Sequence, residues 1–169
     1  MTILERYQAV IERIEQAAKK AGRDPAEVTL IAVSKRHPAS AVAALAAAGH
    51  KDFGENYIQE ALAKKEGLDS SIRWHFIGHL QTNKARFVPG NIHLLHALDS
   101  ERLARALHSK LRTLKTKLPV LIQVNLARET QKSGVYEENL PELAEQIISL
   151  AGLDLTGLMV MPPFSDKGE

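Results

Sequence analysis

Three observations predict a parallel α/β fold for this chain. Six strand-like apolar runs alternate with helix-like segments, and such alternation builds right-handed βαβ units around a parallel sheet. Four clusters of polar residues each follow one of those runs, which is where a parallel sheet presents its reactive groups. The 169 residues suffice for one domain with a substantial core, and no internal repeat, low-complexity tract or long linker divides them. Periodicity alone leaves an open doubly wound sheet and a closed barrel equally compatible.

The elements follow in order. Thr2 stands three residues before Glu5 at the capping-box spacing, and Leu4, Tyr7, Ile11, Ile14 and Ala18 recur at helical intervals until Gly22. Residues 28–34 read as a strand, and the alanine-rich residues 39–48 as a helix ending at Gly49. A short strand is expected over 51–54, a helix over 57–65 stopped by Gly67, and a strand over 72–77. A polar turn and a short helix near 81–87 lead to a strand over 92–97. Ser100 caps a helix carrying Leu103, Leu107, Leu111 and Leu114, and residues 119–124 form a strand. Asn139 is expected to cap a helix with Leu143, Ile147 and Ile148 that ends at Gly152. The sixth strand spans 155–161, and residues 162–169 read as loop.

The most informative residue is Lys35. Residues 30–34 carry no charge, and then Lys35-Arg36-His37-Pro38 appears where the chain must turn. A lysine at such a strand end, deprotonated through burial and neighbouring cations, becomes an amine nucleophile that forms an imine with a carbonyl compound. The plainer alternative is a solvated lysine in a loop. The other clusters are Phe53-Gly54-Glu55-Asn56-Tyr57, the segment from Trp74 through His75, Gly78 and His79 to Lys84, and Asn125 with Thr130 to Gly134. Glu55 or Asn56 either caps the next helix or contacts a ligand. His75 lies between Trp74 and Phe76, so alternation puts it on the face opposite to theirs, as a satisfied structural histidine or a ligand contact. His79 reads as a cap or a surface residue. Lys132-Ser133-Gly134 reads as a solvated turn or an anion-holding loop.

Other chemistries are excluded or disfavoured. Cysteine is absent, which removes disulfides, thiolate nucleophiles and cysteine-based zinc sites. His75, His79 and His93 match no standard zinc spacing, so no metal is expected. A net charge of +2, without a basic run, argues against nucleic acid as a partner. Neither nucleotide-binding glycine fingerprint is present. No apolar stretch approaches the roughly 20 residues needed to span a bilayer, and charges at Glu5 and Arg6 interrupt any secretory signal. A cytoplasmic protein without membrane contact is expected.

Several segments together resemble one family. They are Ala32-Val33-Ser34-Lys35, Phe53 to Tyr57 with Gln59-Glu60, Trp74 to Gly78 with Leu80-Gln81 and Asn83-Lys84, Gln123-Val124-Asn125, Lys132-Ser133-Gly134 and Gly157-Leu158-Met159. In this order they resemble the pyridoxal phosphate homeostasis proteins, single-domain relatives of the N-terminal barrel of alanine racemase. The resemblance implies a TIM-type barrel that binds pyridoxal 5′-phosphate (PLP) and buffers and carries it as a lysine imine. By position, Lys35 matches the family's Schiff-base lysine and Asn56 a residue beside the cofactor ring. Met161 is expected near that ring too, with His75 and Lys132 as further cofactor-site candidates. The family has no firmly assigned turnover, so an enzyme is not the first expectation. A racemase-like or aldolase-like Schiff-base enzyme is the alternative, and an inactive fragment a further one. The implied partners are PLP and PLP-dependent apoenzymes, and the complete barrel is expected to be a monomer.

The sequence departs from the pattern in strand number. A complete barrel has eight strands, whereas only about six are legible over residues 1–169, read as one PLP-binding domain. The family's phosphate-gripping segments and the arginine facing the pyridine nitrogen fall beyond Glu169, so a chain truncated at its C-terminus is expected. An open barrel exposes its first and sixth strands as edges that invite aggregation or pairing with another chain.

Overall fold

The computed structural model describes residues 1–129 and 131–161. Thr130 and the loop expected at 162–169 lie outside the described residues. The strands are β1 (Ala32–Val33), β2 (Asp52–Glu55), β3 (Arg73–Phe76), β4 (Leu94–Leu98), β5 (Leu118–Val124) and β6 (Leu153–Val160), and the helices are α1 (Ile3–Lys20), α2 (Ala39–Ala47), α3 (Ile58–Lys65), α4 (Glu101–Leu114) and α5 (Leu140–Ile148). All strand pairs are parallel, and the spatial order is the chain order from β1 to β6. Each strand therefore lies beside the next, as in the wall of a (β/α) barrel.

Helix ends follow from local chemistry. The Thr2 side chain accepts from the Glu5 N–H and the Glu5 carboxylate from the Thr2 N–H, so the expected capping box opens α1. Gly22 takes a positive φ of 66° just past its end, where the Arg23 N–H closes on the Ala18 carbonyl. The Ser100 hydroxyl accepts from the Leu103 N–H and starts α4. Leu103, Ala104, Leu107 and Leu111 of α4 are buried against the sheet. Each fully buried leucine contributes about 1.5–3 kcal/mol.

Four expectations need correction. The strand expected over 28–34 is short, Ala32–Val33 in register with Phe53 and Gly54 of β2, and residues 25–27 form a 3-10 turn capped by Asp24. The short helix near 81–87 is a 3-10 turn, Thr82–Phe87. Asn139 precedes α5 without a side-chain cap bond, because it already closes a 3-10 turn, Glu137–Asn139. Glu55 belongs to β2 and is fully buried, so it caps nothing.

The sheet has two chemically different faces. Phe53, Trp74, Phe76 and Leu95 join a core with Val42 and Leu45 of α2, Ile58 and Ala61 of α3, and the leucines of α4. Alternation puts Asp52, Gly54, Arg73, His75 and His96 on the opposite, inner face. There Asp52 lies in register with Arg73 and pairs with it. His75 is held at both ring nitrogens, Nε2 at 2.9 Å from the Asp52 carboxylate and Nδ1 at 2.9 Å from His96 Nε2. A carboxylate only accepts, so His75 carries its proton on Nε2 and accepts from His96 through Nδ1. Burial opposes ionisation of Asp52, but hydrogen bonds and charge from Arg73 and His75 outweigh it and hold the carboxyl below its ordinary range. Burial, only partly offset by Asp52, pushes His75 down. Burial and the His75 charge push His96 down to about 4.

Gly78, two residues past β3, meets the chain leaving β2. A Cβ there would lie 2.4 Å from the Asn56 carbonyl oxygen and 2.7 Å from its Cα, and both are main-chain atoms that cannot swing aside. Glycine at 78 thus lets the two strand-end segments touch.

Two outcomes are expected. Gly78→Ala should lower stability by roughly 1–3 kcal/mol, read from urea unfolding midpoints. Acid should destabilise the fold in a defined window: the unfolded chain protonates His96 near 6.5, while the folded chain resists until about 4. Stability therefore falls as pH drops from 6.5 to 4, by roughly 3 kcal/mol from His96 alone; His75 acts in the same direction below 6.5, and Asp52 adds its loss only below its unfolded value of 3.8. Unfolding curves across that range should show the loss, and His96→Gln, which still donates to His75 but does not titrate, should flatten it.

Candidate functional site

Lys35 stands at the carboxyl end of β1, in the turn before α2. Ser34 remains part of the sheet through its N–H, which donates to the Gly54 carbonyl at 2.9 Å. Lys35 itself is exposed, which decides between its two readings for the solvated side chain over a buried amine. Among the described residues, no group hydrogen-bonds or ion-pairs with the Lys35 ammonium. Its neighbours Arg36 and His37 are exposed as well.

The backbone around Lys35 is held from behind. The Lys64 ammonium, projecting from α3, donates to the Ser34 carbonyl at 2.7 Å, to the Glu55 carboxylate at 2.6 Å and to the Glu60 carboxylate at 2.8 Å. These three bonds use all three of its protons. Glu55 Oε1 also accepts from the Ser34 hydroxyl at 2.7 Å, while Glu55 Oε2 is buried with no partner among the described residues. Glu60 Oε1 accepts the Arg36 N–H at 2.9 Å. Burial opposes the Lys64 charge, yet hydrogen bonds from Glu55 and Glu60 outweigh it and raise the ammonium above its ordinary range. The Lys64 hydrogen bond, in turn, is the main cause that lowers Glu60. Arg36 adopts the left-handed conformation with φ 62°, which costs a non-glycine residue roughly 1–2 kcal/mol. The bond to Glu60 helps hold it there.

Asn56 follows β2 and is half-buried. It caps nothing, since the N-cap of α3 is Tyr57 and shows no side-chain cap bond. Its side-chain amide has no hydrogen-bond partner among the described residues. Lys35 and Asn56 therefore follow adjacent strands in register, each with unengaged polar atoms. Gly54, two residues before Asn56 and in register with Val33, keeps the inner wall low, with Ile31 and Ile77 each 3.1 Å from where its Cβ would be.

The remaining candidates lie further off. Met161 directly follows β6 and is 48% exposed, but β6 is at the opposite end of the strand order from β1. His75 is deep in the inner-face cluster with both nitrogens occupied. Lys132 pairs with Glu129 at 2.7 Å. Asn125 and Gln123 donate to carbonyls of the same loop, so that loop is closed on itself. His79 is exposed, with Nδ1 at 3.0 Å from the Ser133 hydroxyl and 3.3 Å from Asp99. Both partners meet the same nitrogen, so these three residues do not form a nucleophile relay, which needs one partner on each ring nitrogen. Among the described residues, no three His, Asp or Glu side chains converge in a way that could hold a metal, and no helix is long and apolar enough to cross a membrane.

Sequence reasoning missed Ser34, Glu60 and Lys64 as a unit. The one signal available was the four-residue spacing of Glu60 and Lys64, which reads as an ordinary surface pair on a helix.

An unpaired amine and an unengaged amide at neighbouring strand ends fit a ligand that carries an aldehyde and further polar groups. Comparison with known proteins identifies the family. The sequence profile described as alanine racemase, N-terminal domain, matches residues 6–169. The pyridoxal phosphate homeostasis protein of Pseudomonas aeruginosa is 46% identical over 162 residues, which cover 95% of this chain and 70% of that protein. PipY of Synechococcus elongatus, solved without PLP, superposes with a TM-score of 0.79 at 36% identity over 91% of this chain and 73% of PipY. The same protein with PLP bound gives 0.77 at 36% identity, over 90% and 71%. The strand order agrees with that match, and the chain belongs to the pyridoxal phosphate homeostasis protein family, on the fold of the alanine racemase N-terminal domain.

Proposed function

We propose that this chain binds PLP through a covalent bond at Lys35 and serves to buffer and carry it. The observation that carries the reading is the amine itself: an exposed lysine at the carboxyl end of β1, with no carboxylate or carbonyl among the described residues competing for it. The cofactor supplies an aldehyde carbon, the electrophile that this amine needs. Condensation forms a C=N bond and breaks the C=O bond, and the two amine protons leave with the oxygen as water. The bond is reversible, so an amine on another protein can take the aldehyde away.

The chain's own residues divide the remaining work. Asn56 offers donor and acceptor atoms beside Lys35, and Met161 adds a polarisable side chain at the tip of β6. Lys132 would have to leave Glu129 before it could meet an anion. Turnover as a racemase needs a second acid or base opposite the lysine and a site closed to water. Lys35 lies open instead, which suits exchange more than turnover. PLP-dependent apoenzymes in the cytoplasm are the recipients that this reading implies, with the complete barrel acting as a monomer.

The test is chemical. After incubation with PLP, borohydride reduction and peptide mapping, the pyridoxyl group should sit on Lys35. In Lys35→Ala the absorbance band of the lysine-bound cofactor should disappear. Modification scattered over surface lysines, with Lys35 unmodified, would favour an inert fragment. Aldol or racemase turnover in the same preparation would favour an enzyme.

A further inference from the structure

Lys64 and Glu60 lie on α3, yet their polar contacts reach the two peptide groups that flank Lys35. The carbonyl of Ser34 accepts from Lys64 on one side, and the N–H of Arg36 donates to Glu60 on the other. Glu55 completes the arrangement by holding both Lys64 and the Ser34 hydroxyl. Helix α3 therefore grips the main chain on both sides of one residue, with Glu55 of β2 bracing it, and among the described residues nothing bonds to the side chain of Lys35 itself.

We infer that Glu60 and Lys64 form a clamp that aims the Lys35 side chain, and that Glu60 is a positioning residue for the reaction of that amine with an aldehyde. The inference rests on the reading of Lys35 given above. A helix-surface ion pair would account for Glu60 and Lys64 being four residues apart. It would not account for Lys64 being buried, nor for the bonds to Ser34 and Arg36. The mechanical consequence is large because a lysine is a long lever. Its Nζ lies roughly 6 Å from Cα, so a backbone rotation of about 20° displaces the amine by roughly 2 Å, and misplacement of about 1 Å can cost a hundredfold in rate. Arg36 sits in a conformation that its residue type disfavours. Without the acceptor on Glu60, the turn is free to relax toward ordinary backbone angles and carry Lys35 with it.

Glu60→Ala removes the acceptor, Glu60→Gln keeps an acceptor oxygen without the charge, and Glu60→Met fills similar volume with no acceptor oxygen. In each variant of the chain, condensation with PLP is followed by absorbance, with borohydride mapping of Lys35, thermal unfolding and hydrogen exchange of the Arg36 amide. Glu60→Ala should weaken condensation at Lys35 by at least about tenfold and speed exchange at Arg36, while Glu60→Gln stays within about threefold of the wild type on both readouts. Where the alanine variant does not fold, Glu60→Met carries the same expectation. Condensation as tight in Glu60→Ala as in the wild type would overturn the clamp. So would an equal loss in Glu60→Gln, since charge and not the hydrogen bond would then be responsible. A wild type that forms no adduct at Lys35 would overturn the proposed function itself, and the clamp with it.

Discussion

One ammonium group ties the architecture to the site. Lys64 is buried, and all three of its protons are engaged by Ser34, Glu55 and Glu60. Removing one partner of such a buried pair is strongly destabilising, because it strands the other charge away from water. The contact also does what apolar packing cannot: it specifies direction. Phe53, Trp74 and the α3 residues Ile58 and Ala61 hold the helix against the sheet, but apolar contacts are non-directional. The ammonium and its two carboxylates fix where the turn after β1 ends, and Lys35 stands in that turn.

The two faces of the sheet solve different problems. On the helix side, Glu55, Glu60 and Lys64 grip the Lys35 turn. On the inner side, Arg73, Asp52, His75 and His96 form a chain of hydrogen bonds in which each donor has a definite acceptor. That chain consumes polar atoms which would otherwise compete for a ligand. Lys35 and Asn56, whose side chains have no hydrogen-bond partner among the described residues, lie at the carboxyl ends of β1 and β2. Such a division, with satisfied polar groups inside the wall and unsatisfied ones at its rim, is how a (β/α) barrel separates stability from chemistry.

Much of this was legible in the sequence. The apolar run of residues 30–34 placed Lys35 at a strand end, and alternation around Trp74 and Phe76 placed His75 on the opposite face. The capping box at Thr2 and Glu5 was visible because its partners are local. What could not be read depends on register. Asp52 meets His75, and His75 meets His96, only because β2, β3 and β4 align in one way. Glu55 was read as a loop or cap residue because one position separates a strand end from a cap, and that position decides between burial and solvent. The Asn139 cap failed for a similar reason, since a 3-10 turn immediately before α5 had no distinct sequence signature. Whether Lys35 would be buried or solvated stayed open because the burial of a strand-end residue depends on what covers it, which local pattern does not encode.

The family's barrel and the exposed amine lead to a single proposal, that Lys35 bonds to PLP while Lys64 keeps its hold on the preceding peptide. A crystal structure of the protein soaked with PLP tests it most directly. The account predicts continuous density from Lys35 Nζ to the cofactor's carbonyl carbon, the ring beside Asn56, and Lys64 Nζ still within hydrogen-bond distance of the Ser34 carbonyl. Density joined to another lysine, or cofactor bound away from the ends of β1 and β2, would contradict it.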